Sequence, residues 1–238
     1  MSKTKIIIIV FVIVLMATFA FLATRRIDED AIIVKGNEKY TDEEIKDYIF
    51  VSKKDKNPYY LYFKSRFSKQ KTIPFVDKYK IKIKSMDSVE ITVYEKSIIG
   101  RVKYMGSNMY FDKDGTIVES SPKELDSVPL VTGLTFDKIV LNEKLPIEDD
   151  DMFNLILDVT QSLQKYDITV EKMYLSKEKE VKLYKNNVEV LVGNDNDMSD
   201  KIRTLRDIMP GLEGLKGTLD LREYNKSNSG YDFKVSKK

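Results

Sequence analysis

Read for hydrophobicity alone, the chain opens with an apolar run over residues 6–23, broken only by Thr18. Lys3 and Lys5 precede it and Arg25 and Arg26 follow it. A helix of that length extends about 27 Å, close to the hydrocarbon thickness of a bilayer. In lipid, a helix is the single-segment structure that satisfies every backbone N–H and C=O. Ala17, Ala20 and Ala23 fall three apart rather than two and the run is long, so a retained anchor is expected rather than a cleaved leader. Flanking charge does not decide its direction. A tail of residues 1–5 before a long polar body predicts a short cytoplasmic end and an extracytoplasmic body.

Over residues 24–97 the pattern changes several times. Residues 31–34 are apolar and rich in β-branched side chains, and Gly36-Asn37 follows as a turn, which predicts a strand. Thr41 and Glu44 have the spacing of a capping box and start a helix with Ile45, Tyr48 and Ile49 inward. Asn57-Pro58 starts a second helix. Its Tyr59, Tyr60, Phe63 and Phe67 are expected to face the core. Tyr79, Ile81 and Ile83 then alternate with Lys80, Lys82 and Lys84, and Val89, Ile91 and Val93 alternate with Glu90, Thr92 and Tyr94. Both runs read as half-buried strands of one hairpin. The order strand, helix, helix, strand, strand predicts a small sheet covered by two helices on one face.

Residues 98–225 predict a second α+β domain, mostly antiparallel. Asp114-Gly115 turns a hairpin between residues 110–111 and 116–118; the calcium-loop echo of Asp112 and Asp114 lacks the remaining ligands. Residues 128–133 form a short strand. Glu148, Asp149, Asp150 and Asp151 open a helix with Met152, Ile156, Val159, Leu163 and Tyr166 inward. Strands follow at residues 170–175, 180–184 and 188–192. A helix over residues 197–209 turns Met198, Ile202, Leu205 and Met209 inward, and a last strand occupies residues 217–224. Residues 226–238 are expected to form a mobile tail.

Composition narrows the chemistry. The 40 basic and 38 acidic residues leave a net charge of +2, which gives no nucleic-acid surface. With no His and no Cys, imidazole-based triads, thiol nucleophiles, structural zinc sites and disulfides are excluded. No acidic pair reads as catalytic rather than structural, so no enzyme, cofactor or metal site is expected. The run of basic residues between positions 46 and 84 makes Lys53, Lys54, Lys56, Lys80, Lys82 and Lys84 candidates for contact with anionic lipid or wall polymer.

In element order and length, residues 24–97 look like a POTRA domain (βααββ). Layout and short motifs together make the whole chain resemble the FtsQ/DivIB bacterial cell-division family. The motifs are Val34-Lys35-Gly36-Asn37, residues 89–96 ending in Glu95-Lys96, residues 111–118, Val128-Pro129-Leu130-Val131-Thr132-Gly133, and Asp220-Leu221-Arg222 followed by Gly230-Tyr231. Ile98 stands where that family often has a proline, and Lys96 where it has an arginine.

The resemblance implies a non-enzymatic scaffold at the division septum that binds bitopic proteins of the FtsL and FtsB/DivIC type. The rivals are an extracytoplasmic POTRA-type chaperone and a wall- or lipid-polymer-binding module. With no later strand predicted, residues 217–224 offer an open sheet edge for a partner strand. Arg222, Glu223, Tyr224 and Tyr231 are placed to select it, and Leu219 and Leu221 are expected to pack inward.

Overall fold

In a computed structural model, which describes residues 3–194, 197–224 and 230–236, the apolar run forms helix α1 (Lys3–Ala23), with none of its residues buried. Among the described residues it is the one helix long and apolar enough to cross a membrane. The chain divides into two units, Met1–Lys96 and Ser97–Lys238.

The first unit holds α1, β1 (Ile32–Lys35), α2 (Asp42–Ile49), α3 (Pro58–Phe67), β2 (Val76–Ile83) and β3 (Val89–Glu95). Its sheet has the order β1-β3-β2, with β1 parallel and β2 antiparallel to β3. The capping box forms: Thr41 Oγ1 accepts from Glu44 N, and Thr41 N donates to the Glu44 carboxylate at 2.8 Å. Ile45 and Ile49 of α2, Leu61 of α3 and Ile81, Ile91 and Val93 of the hairpin are buried, as the two periods predict. Gly36 is left-handed (φ 79°), and a Cβ there would collide with Val93 O, so only glycine fits this turn.

One expectation fails in this unit. The buried residues of α3 are Pro58 and Leu61, whereas Tyr60, Phe63 and Phe67 are 43%, 56% and 76% exposed. Three- and four-residue spacing marks a stripe on a helix but not what the stripe faces. The sequence reading also gave no role to Asp55. Its carboxylate is fully buried and accepts from Ser52 N, Ser52 Oγ and Lys64 Nζ, the last at 2.6 Å. Burial pushes this carboxyl up, but the Lys64 and Ser52 bonds outweigh burial and hold it below its usual value.

Asn57 joins the end of α1 to the start of α3. Its Oδ1 accepts from Tyr60 N at 2.9 Å, the ordinary N-cap bond. Its Nδ2 donates to Leu22 O at 2.8 Å, in the last turn of α1, and to Arg25 O at 2.9 Å, two residues beyond its end. Asn57→Ala removes both functions, and the expected loss is about 2 kcal/mol. Equilibrium unfolding of the full chain in micelles, followed with a probe in α3, measures it.

The second unit is built on a nine-stranded mixed sheet of order β12-β11-β10-β9-β8-β7-β4-β5-β6. In chain order its strands are β4 (Gly100–Tyr104), β5 (Ser107–Phe111), β6 (Ile117–Ser121), β7 (Leu130–Thr132), β8 (Lys172–Leu175), β9 (Val181–Lys185), β10 (Val188–Gly193), β11 (Gly217–Asp220) and β12 (Asp232–Val235). Its helices are α4 (Asp150–Lys165) and α5 (Met198–Ile208). The sheet is less antiparallel than the pattern suggested: β4 with β7, β7 with β8, and β10 with β11 are parallel pairs. Parallel neighbours need a crossover, and the two helices supply two of them, α4 between β7 and β8 and α5 between β10 and β11. Strands β7 and β10 run the same way and step in the same direction along the sheet, so right-handed crossovers bring both helices to one face. There α4 and α5 pack together. Ile156, Val159 and Leu163 meet Met198, Ile202 and Leu205 over Leu183, Val190 and Leu219 in one buried core.

Candidate functional site

The strand expected to leave its edge open is covered. β11 spans Gly217–Asp220 rather than residues 217–224, and its outer edge pairs antiparallel with β12. The expected mobile tail, residues 226–238, therefore contributes a strand of its own. Asn225, the expected end of the second domain, lies outside the described residues. What hid β12 is its composition: Asp232-Phe233-Lys234-Val235 is four residues long, with only Phe233 half-buried.

The structure divides the six candidate residues, burying two and bringing Glu223 and Tyr231 to one hollow. Leu219 and Leu221 are fully buried in the core. Arg222 turns back on Asp220, with Nε 2.9 Å from Oδ1 and Nη2 2.6 Å from Oδ2. That bidentate bond holds the Asp220 carboxyl below its usual value. An arginine so engaged is poorly placed to select a partner. Glu223 is exposed, and Tyr224 is half-buried against the core. Tyr231 is 50% exposed one residue before β12, and with Asp220, Glu223 and Asp232 it lines a shallow hollow of about 270 Å³.

The open margin is β12 itself. Ser236 N donates to Lys216 O at 2.9 Å. In an antiparallel ladder every second residue shares that orientation. The register Thr218↔Lys234 and Asp220↔Asp232 thus turns Lys234 and Asp232 toward β11 and points the amides and carbonyls of Phe233 and Val235 outward. Among the described residues no further strand pairs with β12. The opposite margin differs, because Ile117 N of β6 donates to Glu143 O and Ile117 O accepts from Asn142 N. One edge is blunted by its own loop and, among the described residues, the other is free.

A residue without a role in the sequence reading supports this margin. Lys201 is fully buried on α5. Its Nζ donates to Val192 O at 2.9 Å and to Arg222 O at 2.8 Å, tying the exit of β11 to the end of β10. Met198, Lys201, Ile202 and Leu205 lie at helical spacing, so the lysine sits on the buried stripe; only the habit of placing lysines outside concealed it.

The chain is similar to a cell division protein. It is 22% identical over 211 residues to the cell division protein DivIB of Clostridium botulinum, a match that covers 87% of this chain and 81% of the relative. No family model matches the chain.

The motif residues are largely structural. Glu95 accepts from the amides of Glu38 and Lys39 and from Lys39 Nζ, at 2.7–2.8 Å, and so holds the loop after β1. Asp112 Oδ1 accepts from Asp114 N and Thr116 N and shapes the turn before β6. Gly133 is left-handed, and a Cβ there would collide with Leu175 O.

The six lysines do not form one patch. Tyr79 and Ile81 are buried and Lys80 and Lys82 exposed, on opposite faces of β2. Lys56 pairs with Glu29 and Lys84 with Glu90. Lys53 and Lys54 instead border a cavity at the end of α1.

Proposed function

We propose that this chain is a non-enzymatic scaffold of bacterial division, similar in layout to FtsQ/DivIB proteins. Residues 6–23 anchor it in the membrane in a single pass, with residues 1–5 cytoplasmic and the body exported. Residues 24–97 form a POTRA domain, and residues 98–225 a β-domain that β12 extends. Bitopic partners of the FtsL and FtsB/DivIC type add a strand to the outer edge of β12, and the chain helps recruit or regulate septal peptidoglycan synthesis. The observation that carries this reading is the pair of outward-facing peptide groups at Phe233 and Val235, the unpaired template that strand addition needs. The similarity to DivIB and the single apolar helix support it. Lys80 and Lys82, on the solvated face of β2, support weaker contact with anionic lipid or wall polymer. A fluorescent fusion at native level tests the role: a midcell band in dividing cells is expected, and a uniform peripheral signal contradicts it.

A further inference from the structure

We infer that the junction of α1 and α3 is a binding site for one anionic phospholipid of the leaflet on the body's side. The inference rests on the reading of α1 as a membrane span. A cavity of about 850 Å³ opens where α1 ends. Phe19 and Leu22, within the span, form one wall, and Tyr60 and Phe63 of α3 form another. These are among the aromatic side chains that the core does not take. Phe63 stacks on Phe67 at 6.0 Å between ring centres, so the apolar surface continues along α3. A face built partly of span residues and partly of exposed aromatic rings suits acyl chain and glycerol backbone, the zone in which membrane-facing Tyr and Phe settle.

The rim supplies the charge. Arg25, Arg26, Lys53 and Lys54 all line the cavity. Among the described residues none of the four lies within ion-pair distance of a carboxylate, whereas nearby Lys56 pairs with Glu29 and Lys64 with Asp55. The Arg25 guanidinium lies 3.9 Å from the centre of the Phe21 ring, and its Nε is buried without a hydrogen-bond partner. That contact with Phe21 holds the guanidinium at the rim with no carboxylate to neutralise it, and its charge remains for an anionic ligand. Four unmatched cations above an apolar wall call for a ligand with an anionic head and an apolar tail. A free polyanion satisfies the rim and leaves the wall wet. Asn57 fixes the geometry by bonding both helices.

The test uses the full chain in vesicles of phosphatidylcholine with and without phosphatidylglycerol, followed by native mass spectrometry of released protein to count retained lipid. The expected result is preferential retention of one phosphatidylglycerol, with the preference falling roughly tenfold in the double variant Lys53→Gln/Lys54→Gln. The double variant Lys138→Gln/Lys177→Gln, at exposed positions of the second unit, removes the same charge and is expected to leave it unchanged. Equal retention of both lipids by wild-type protein overturns the site while leaving the span intact. Loss of the preference in the Lys138/Lys177 variant overturns it as well. Failure of the protein to float with either vesicle defeats the span and the inference together. Binding of soluble polyglycerol phosphate that depends on Lys53 and Lys54, without lipid preference, assigns the rim to wall polymer and overturns the lipid.

Discussion

Val235→Pro is expected to weaken binding of an FtsB/DivIC-type ectodomain by roughly a hundredfold while leaving the large sheet intact. The Val235 amide points away from β11, as the bond from Ser236 N to Lys216 O and the register of β12 require. Proline there removes an outward donor and sets its ring in the path of an incoming strand, yet breaks no bond within the chain. A lost ladder bond of about 1 kcal/mol and a steric penalty of similar or greater size give that hundredfold, at 1.4 kcal/mol per tenfold. Val235→Ala keeps the amide and is expected to change affinity by no more than about threefold, because strand addition draws its affinity from main-chain bonds. Titration calorimetry with both variants separates backbone recognition from side-chain docking. Equal, large losses in both would assign the contact to the exposed valine side chain instead.

The second large effect is expected at Lys201. Lys201→Met keeps most of the buried stem but removes the ammonium that bonds Val192 O and Arg222 O. Two carbonyls at the junction of β10 and β11 lose that donor, and the expected cost is about 3 kcal/mol. The damage is expected to be local first, because Arg222 lies on the segment that leaves β11. Hydrogen exchange of the Leu221 and Tyr224 amides, which donate to Leu191 O and Leu221 O, is expected to accelerate before that of β9 or β10. Partner affinity is expected to fall with it. Exchange unchanged at Leu221 and Tyr224 would show that the lysine does not hold this junction.

Much of the fold is legible in the chain because its elements obey simple periods. The α2 capping box, the Asn57-Pro58 start of α3 and the strict alternation over residues 79–84 and 89–94 each name an element from local chemistry alone. The failures share a cause, since periodicity locates a stripe and is silent on what covers it. The aromatic stripe of α3 has the spacing of a core face, but its Tyr60, Phe63 and Phe67 are exposed. Lys201 obeys the helical period of α5 and was hidden by its residue type. The parallel junctions of the large sheet depend on which strands the crossovers join, and strand patterns do not carry that information. The candidate edge was half legible. The sequence pattern places an open edge at the C-terminal margin of the sheet, but β12 is too short and too polar to announce itself, and among the described residues it moves the open edge from residues 217–224 to Phe233 and Val235.

The proposed scaffold role rests on a partner strand bonding to β12, and residue-resolved amide exchange in the bound and free protein tests that most directly. On addition of the partner ectodomain, the amides of Phe233 and Val235 are predicted to slow markedly, while Lys234, already directed at β11, changes little. Full-affinity binding with Phe233 and Val235 still exchanging at their free rates would contradict it.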